Sequence, residues 1–269
     1  MSSLDGLITR LRAAGCVFAE REARLIAATF GAEPAREQAV RRREAGEPLE
    51  YVVGAAEFAG ITVSVGPPVF IPRRRAATLV DTADRVAVAP VGAGATTALD
   101  LGCGSGAIAA ALTQRHPDWV VHASELDPAA AGWAQRNAAT YGYTVHVGSW
   151  FDALPTDLRG GLDVVVAHLP YVPSDEIDLL PRDFRDHEPR HTVDGGVDGL
   201  DPLRAVCADS LRWLAPTGVL LTQVGWGQVE TTASIAAAAG LAAEVTPSSD
   251  DDEDTVVVAV RPTSVDKPG

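Results

Sequence analysis

Cysteine is scarce in this chain and cannot staple it. The three cysteines among 269 residues, Cys16, Cys103 and Cys207, are widely spaced, odd in number and form no C-x-x-C pair. That pattern excludes a disulfide framework and a cysteine-based zinc site, and it fits a reducing cytoplasm. No stretch approaches ~18 continuous apolar residues, the length a spanning helix needs. The first residues also lack the basic-then-apolar plan of a signal peptide. The expectation is a soluble, cytoplasmic protein with no membrane partner. Positive charge is short as well: 22 basic residues face 36 acidic ones, a formal net charge of −14. Such an excess repels phosphate backbones at long range, so no direct nucleic-acid partner is expected. The histidines do not assemble a metal set. His116, His122 and His146 fall on separate segments, and His187 and His191 lie at i, i+4 without a Glu-x-x-His pattern. No Ser-His-Asp or Cys-His arrangement is readable either.

An apolar fraction of 46% is ordinary for a globular core. Residues 3 to 46 carry helix-period apolar positions (Leu4, Leu7, Ile8, Leu11, then Ala23, Leu25, Ile26, Ala28, Phe30), broken at Gly15, Gly31-Ala32 and Gly46-Glu47-Pro48, which predicts a three-helix N-terminal unit over 1–48. From Tyr51 the pattern turns to strand, with Val52-Val53, Phe58 and Ile61 to Val65, closed by Gly66-Pro67-Pro68. Residues 49–75 therefore read as a β-hairpin linker. Beyond Ala76, helical patterns alternate with apolar runs at Thr97 to Leu101, Val120 to Ala123, Thr144 to Val147, Leu162 to Ala167, Val219 to Val224 and Thr255 to Val260. That alternation predicts an α/β fold over 76–263, a Rossmann-like, doubly wound, mainly parallel sheet. The spacing before the last run is too short for a helical crossover, so the final two strands should be an antiparallel hairpin. Asp250-Asp251-Asp252-Glu253-Asp254 reads as its solvated tip and 264–269 as a loose tail. Arg41-Arg42-Arg43 reads as a solvated helix face, whereas Arg73-Arg74-Arg75 lies close in sequence to the candidate site.

Three strand ends carry that site. Asp100-Leu101-Gly102-Cys103-Gly104-Ser105-Gly106 is a strand-to-helix turn whose glycines allow a tight turn, admit a ligand without a Cβ in the way and expose amides at the next helix start. Its G-x-G-x-G order departs from the dinucleotide fingerprint, since Ala107 stands three after Gly104. Glu125, about twenty residues on, can accept from two ribose hydroxyls, while Asp127 is better suited to cap the helix that begins at Pro128. Gly148-Ser149-Trp150-Phe151 offers flat apolar surface where an adenine would lie. NAD and S-adenosylmethionine both have such an adenosine end.

Further segments decide between them. Gly46-Glu47-Pro48-Leu49-Glu50-Tyr51-Val52-Val53-Gly54 before Phe58, Phe70-Ile71-Pro72-Arg73, Ala134-Gln135-Arg136-Asn137-Ala138, Glu188-Pro189-Arg190 and Asp194-Gly195-Gly196-Val197-Asp198-Gly199-Leu200 make the chain resemble the HemK/PrmC family. These are class I S-adenosylmethionine-dependent methyltransferases that modify a glutamine of peptide release factors. The resemblance implies that Asp100, Gly102, Cys103, Gly104, Ser105, Gly106, Glu125, Trp150, Phe151 and His168 surround the methyl donor, with S-adenosylhomocysteine as product. It also implies that the N-terminal helices help to receive a protein acceptor, a release factor.

The catalytic tetrapeptide of that family is Asn-Pro-Pro-Tyr; here it is His168-Leu169-Pro170-Tyr171. A carboxamide nitrogen is a poor nucleophile because its lone pair is delocalised, so the site must hold both amide hydrogens and leave the nitrogen facing the methyl. In the family an Asn oxygen and a backbone carbonyl do this, and the Tyr packs on the amide. The Leu169 carbonyl can still accept, with a φ less fixed than proline's. An imidazole accepts only when neutral, through one nitrogen, so a rate loss is expected as pH falls through a histidine pKa near ~6.5. Two rim changes accompany it: Ser149 stands where an acidic residue is common, and Arg74-Arg75 replace a Pro-acidic pair. The alternatives are a methyltransferase acting on another protein or a small molecule, and a donor-binding protein without turnover.

Overall fold

The computed structural model describes residues 3–87, 94–180, 182–246 and 254–263. Residues 250–253, within the segment read as a hairpin tip, and the tail 264–269 lie outside them. Three helices open the chain, α1 (Leu4–Ala13), α2 (Ala19–Thr29) and α3 (Glu33–Glu44). The Ser3 hydroxyl caps the first by accepting the Gly6 N–H at 3.2 Å, and Pro34 sits in the first turn of the third, where its missing N–H costs nothing. The apolar period closes them on Leu7, Leu11, Ala23, Ile26, Ala39 and Val40. The basic triplet is not a uniformly solvated face. Arg41 is, but Arg43 is largely buried and bonds Glu22 at 2.7 Å. Arg42 pairs with Glu47 and donates to the carbonyls of Tyr51 and Val52 at 3.0 and 3.3 Å.

Those last bonds explain a difference from the sequence reading. Val52-Val53 belongs to a short helix, α4 (Leu49–Val53), and not to a strand. Helix-end carbonyls have no intrahelical partner; Arg42 supplies one, and Gly54 ends the helix at φ +76°. Val52 then buries among the first three helices, while Tyr51 enters the larger core and donates its hydroxyl to the Val69 carbonyl at 2.5 Å.

β1 (Ala55–Phe58) and β2 (Ile61–Ser64) form an antiparallel hairpin. There follow α5 (Ala77–Val86), β3 (Thr97–Leu101), α6 (Ala107–Arg115), β4 (Val120–Glu125), α7 (Pro128–Tyr141), β5 (Thr144–Val147) and β6 (Leu162–Ala167). The chain continues through α8 (Arg182–His187), α9 (Asp201–Trp213), β7 (Leu214–Gly225), α10 (Val229–Ala238), β8 (Leu241–Val245) and β9 (Thr255–Pro262). Seven strands make one sheet in the order β5-β4-β3-β6-β7-β9-β8. β3 to β7 run parallel, and β9 is antiparallel to both β7 and β8, the expected closing hairpin. Every residue of β6 is buried, as suits a strand covered on both faces. The order reverses between β3 and β6, which pair directly through Ala98 with Val164 and Asp100 with Val166. Ligands of such sheets bind outside the strand ends at that reversal.

One buried amide ties the hairpin to this cleft. Asn137, 2% exposed on α7, accepts the Ser64 N–H at 2.8 Å and donates to the carbonyls of Ser64 and Ser105, both at 2.9 Å. Asn137→Ala strands one buried and two part-buried backbone groups, so a loss of about 2 kcal/mol of folding stability is expected, at ~1 kcal/mol or more for the buried group and less for the others. Urea denaturation measures it, and a loss below ~1 kcal/mol would show that water replaces the amide.

Candidate active site

The loop after β3 is held before any ligand arrives. Gly102 and Cys103 both donate their N–H to the Ser124 carbonyl at 2.9 Å, and Gly106 donates to the Cys103 carbonyl at 2.8 Å. Gly106 leads into α6 at φ +75°, and a Cβ there would lie 2.1 Å from the Tyr143 hydroxyl, so only glycine fits. Asp100, 1% exposed, reaches under the start of α6 and accepts the Ala109 N–H at 2.9 Å. Burial, partly offset by that bond, pushes its pKa up to about 7. Burial, with Asp100 and Glu125 adding to it, also holds the Cys103 thiol protonated, so Cys103 is a packing residue and no nucleophile.

Glu125 ends β4. Its Oε2 accepts the Gly104 N–H at 2.8 Å and its Oε1 the Asp127 N–H at 2.9 Å. Asp127 caps α7 by accepting the Ala129 N–H, as expected. After β5, Trp150 sits at φ +42°, uncommon for a bulky residue. Its ring lies 3.0 Å from where a Gly102 Cβ would be, so the indole closes over the loop. Phe151 is a correction: it does not line the cavity. It is 2% exposed in the core and stacks on Trp213 with ring centroids 5.8 Å apart. Trp150 packs on the cluster that holds Phe151 but also reaches the cavity, whereas Phe151 is enclosed by that cluster.

The end of β6 supplies the opposite wall. His168, Leu169, Pro170 and Tyr171 all line one cavity of about 540 Å³ together with Asp100, Gly102 to Ser105, Glu125, Ser149 and Trp150; Gly106, expected beside the donor, does not line it and instead packs against Tyr143. The His168 ring lies between Phe70 and Tyr171, with centroids at 5.9 and 6.2 Å, and its Nε2 is closed off without a hydrogen-bond partner. Burial, and then the nearby charges of Arg75 and Arg73, push its pKa down to about 4. The imidazole is neutral across the physiological range, so the titration near ~6.5 expected from a free histidine does not apply.

Three supports had no role in the sequence reading. Glu188, buried, accepts the Ile71 N–H at 3.2 Å and holds Arg73 with both carboxylate oxygens at 2.6 Å, which pins the Phe70–Arg73 wall. Gln228 donates to the carbonyls of Tyr171 and Asp198, both at 2.9 Å. The Gly195–Gly199 turn lies against the chain after Tyr171, with Gly195 N–H on the Val172 carbonyl at 2.8 Å. Glu188 and the glycine segment stood in the sequence only as family-like segments, and nothing local signalled Gln228. Among the described residues, no group of three metal-capable side chains lies together, and no helix is long and apolar enough to cross a membrane.

This strand order, with a glycine loop and an acidic strand end facing the tetrapeptide, defines a class I methyltransferase. The Methyltransferase small domain model matches residues 75–180. Among solved structures, a methyltransferase from Pyrococcus furiosus (TM-score 0.55, 13% identity, 85% of this chain and 98% of that one) and the hMettl16 catalytic domain (TM-score 0.58, 13% identity, 86% and 81%) share the fold. Among curated proteins, the release factor glutamine methyltransferase of Gloeobacter violaceus is 40% identical over 201 residues, 73% of this chain and 68% of that protein. That of Bradyrhizobium diazoefficiens is 32% identical over 259 residues, 90% and 87%. That of Geobacter sulfurreducens is 40% identical over 194 residues, 71% of this chain and 66% of that protein, so the chain spans about two thirds of its length. The chain belongs to the release factor glutamine methyltransferase family.

Proposed function

We propose that this protein transfers a methyl group from S-adenosylmethionine to the side-chain amide nitrogen of a glutamine in a peptide release factor, leaving S-adenosylhomocysteine and releasing one amide proton to solvent. The reading rests on one cavity of about 540 Å³ that joins the β3 loop to the tetrapeptide after β6. That volume is in the range of small-molecule sites. The residues fit the donor: Gly102 to Ser105 line the cavity beside the Glu125 and Asp100 carboxylates, and Trp150 offers a flat ring beside Ser149. S-adenosylmethionine, when bound, supplies an electrophilic methyl on a sulfonium.

The protein's own part is positioning, which is worth up to ~7 to 11 kcal/mol in favourable systems. The Leu169 carbonyl accepts one amide hydrogen, and the neutral His168 ring accepts the other through its unprotonated nitrogen. Tyr171 packs on the amide plane. The apolar wall of Phe70, Pro72 and Pro170 excludes water that would compete for both hydrogens. The test is to incubate the protein with labelled S-adenosylmethionine and release factors and locate the label by mass spectrometry. Label on a glutamine side chain is expected; a methylated product elsewhere, or none, overturns the assignment.

Two expectations concern the donor. Glu125 braces the loop and Asp127 through both carboxylate oxygens, so Glu125→Ala should weaken donor binding by ~1.5 to 3 kcal/mol, the range for hydrogen bonds to a charged group, and also lower the thermal midpoint. Calorimetry and a melting curve together check it; unchanged affinity would confine Glu125 to bracing. Asp100 titrates near neutrality because burial pushes its carboxyl up to about 7. A cationic donor favours the carboxylate, so donor affinity should rise as pH increases from 6 to 8, with proton release on binding. Calorimetry in two buffers of different ionisation enthalpy reads that proton, and Asp100→Asn should abolish the dependence.

A further inference from the structure

The cavity is lined by a cation that forms no ion pair with any described residue. The triplet after Pro72 divides three ways. Arg73 is committed to Glu188 and lies 4.9 Å over the Phe70 ring. Arg74 and Arg75 are both exposed, but Arg74 does not line the cavity. Arg75 does line it, and its guanidinium makes no hydrogen bond or ion pair with any described residue. Four carboxylates share that cavity, yet each is engaged elsewhere. Asp100 takes the Ala109 N–H, Glu125 the Gly104 and Asp127 N–H groups, Asp127 the Ala129 N–H, and Asp194 the Ser174 hydroxyl and Arg190.

The base of the Arg75 side chain is fixed. Its carbonyl accepts the Thr78 hydroxyl at 2.7 Å and the Gln223 amide at 3.4 Å, so the guanidinium starts from a rigid point beside the tetrapeptide. Its charge is felt there, because Arg75 comes ahead of Arg73 in disfavouring the His168 imidazolium. The chain as a whole carries −14, but remote surface charge is screened beyond about 8 Å at physiological ionic strength. A planar guanidinium matches a carboxylate through two parallel bonds.

We propose that Arg75 is a carboxylate-binding residue of this cavity, receiving an anionic group of a bound reactant. The inference rests on the methyltransferase reading above. Two reactants carry that chemistry, the α-carboxylate of the donor and an acidic side chain flanking the acceptor glutamine, and the test separates them.

Calorimetry would compare native protein, Arg75→Lys and Arg75→Ala with S-adenosylmethionine and with its decarboxylated form. A second series would bind glutamine peptides flanked by Asp or by Asn to protein loaded with S-adenosylhomocysteine. If the donor is the source, Arg75→Ala weakens S-adenosylmethionine by about tenfold or more, leaves the decarboxylated form unchanged, and Arg75→Lys falls between. If the acceptor is the source, both donors bind all three proteins alike. Native protein then prefers the Asp-flanked peptide by about fivefold or more, and Arg75→Ala erases the preference. Equal donor and peptide affinities in native protein and Arg75→Ala, with equal melting temperatures, overturn the proposal. Because these are binding readouts, an Arg75 effect without glutamine methylation overturns only the functional reading; methylation without an Arg75 effect overturns only this inference.

Discussion

Replacing His168 with asparagine is expected to raise methyl transfer to a release-factor glutamine at least ~tenfold while donor affinity changes little. A side-chain oxygen would stand where a substrate N–H must be held, and an acceptor of that kind is worth ~1 to 3 kcal/mol in the reacting complex. Native protein still turns over because its ring, with a pKa pushed down to about 4 by burial, is neutral and keeps one lone pair. Between pH 5 and 8 its rate should therefore show no histidine limb; the limb moves to about pH 4. The sign for stability follows from the same shift. Above the free value of ~6.5, folded and unfolded chains are both neutral at this position. From there down to about pH 4 only the unfolded chain takes up the proton, so folding stability falls across that window. Urea midpoints at pH 7.5 and 5 should drop more for the native protein than for His168→Asn. A native rate limb centred near ~6.5 would show a solvated ring, and equal rates for the two forms would remove His168 from the acceptor.

Gly199→Ala should lower kcat by about a hundredfold, the scale of a 1 Å misplacement in a positioned site. Gly199 sits at φ +76°, and a Cβ there would lie 2.2 Å from the Tyr171 carbonyl oxygen and 2.4 Å from the Gln228 amide nitrogen. The nearest obstacle is backbone, so it cannot rotate away; either the turn or the end of the tetrapeptide must shift. A left-handed conformation adds ~1 to 2 kcal/mol for alanine, which should appear as a lower melting temperature. Donor affinity should stay within about threefold, since the donor loop belongs to β3 and β4 and the shift to the far wall. Near-native kcat with a lowered melting temperature would show that the turn yields and Tyr171 does not.

Local pattern was enough for the elements that bury one stripe or one run. The first three helices follow their 3.6-residue period, and β3, β5 and β6 begin and end at the apolar runs expected of them. Asp127 capping α7 is equally local, a carboxylate before a proline at a helix start. Where a distant group decides, local pattern fails. Val52-Val53 has strand propensity, but Arg42, ten residues away from Val52, closes the end of a helix there. Phe151 and Trp150 look alike in sequence, yet the positive φ of Trp150 puts one ring on the cavity and the other in the core.

The candidate site divides in the same way. The glycine spacing, the strand-end carboxylate and the tetrapeptide were readable because each is a short run whose chemistry depends on neighbours in sequence. That they share one cavity is a consequence of the β3–β6 pairing, a contact between strands more than sixty residues apart. The neutral state of His168 and the raised pKa of Asp100 are also tertiary, because desolvation is set by what packs around a group and not by its neighbours in the chain. Composition excluded staples, and periodicity placed the strands; only the folded sheet decided which charges are paired, which are buried and which, as at Arg75, are left for a ligand.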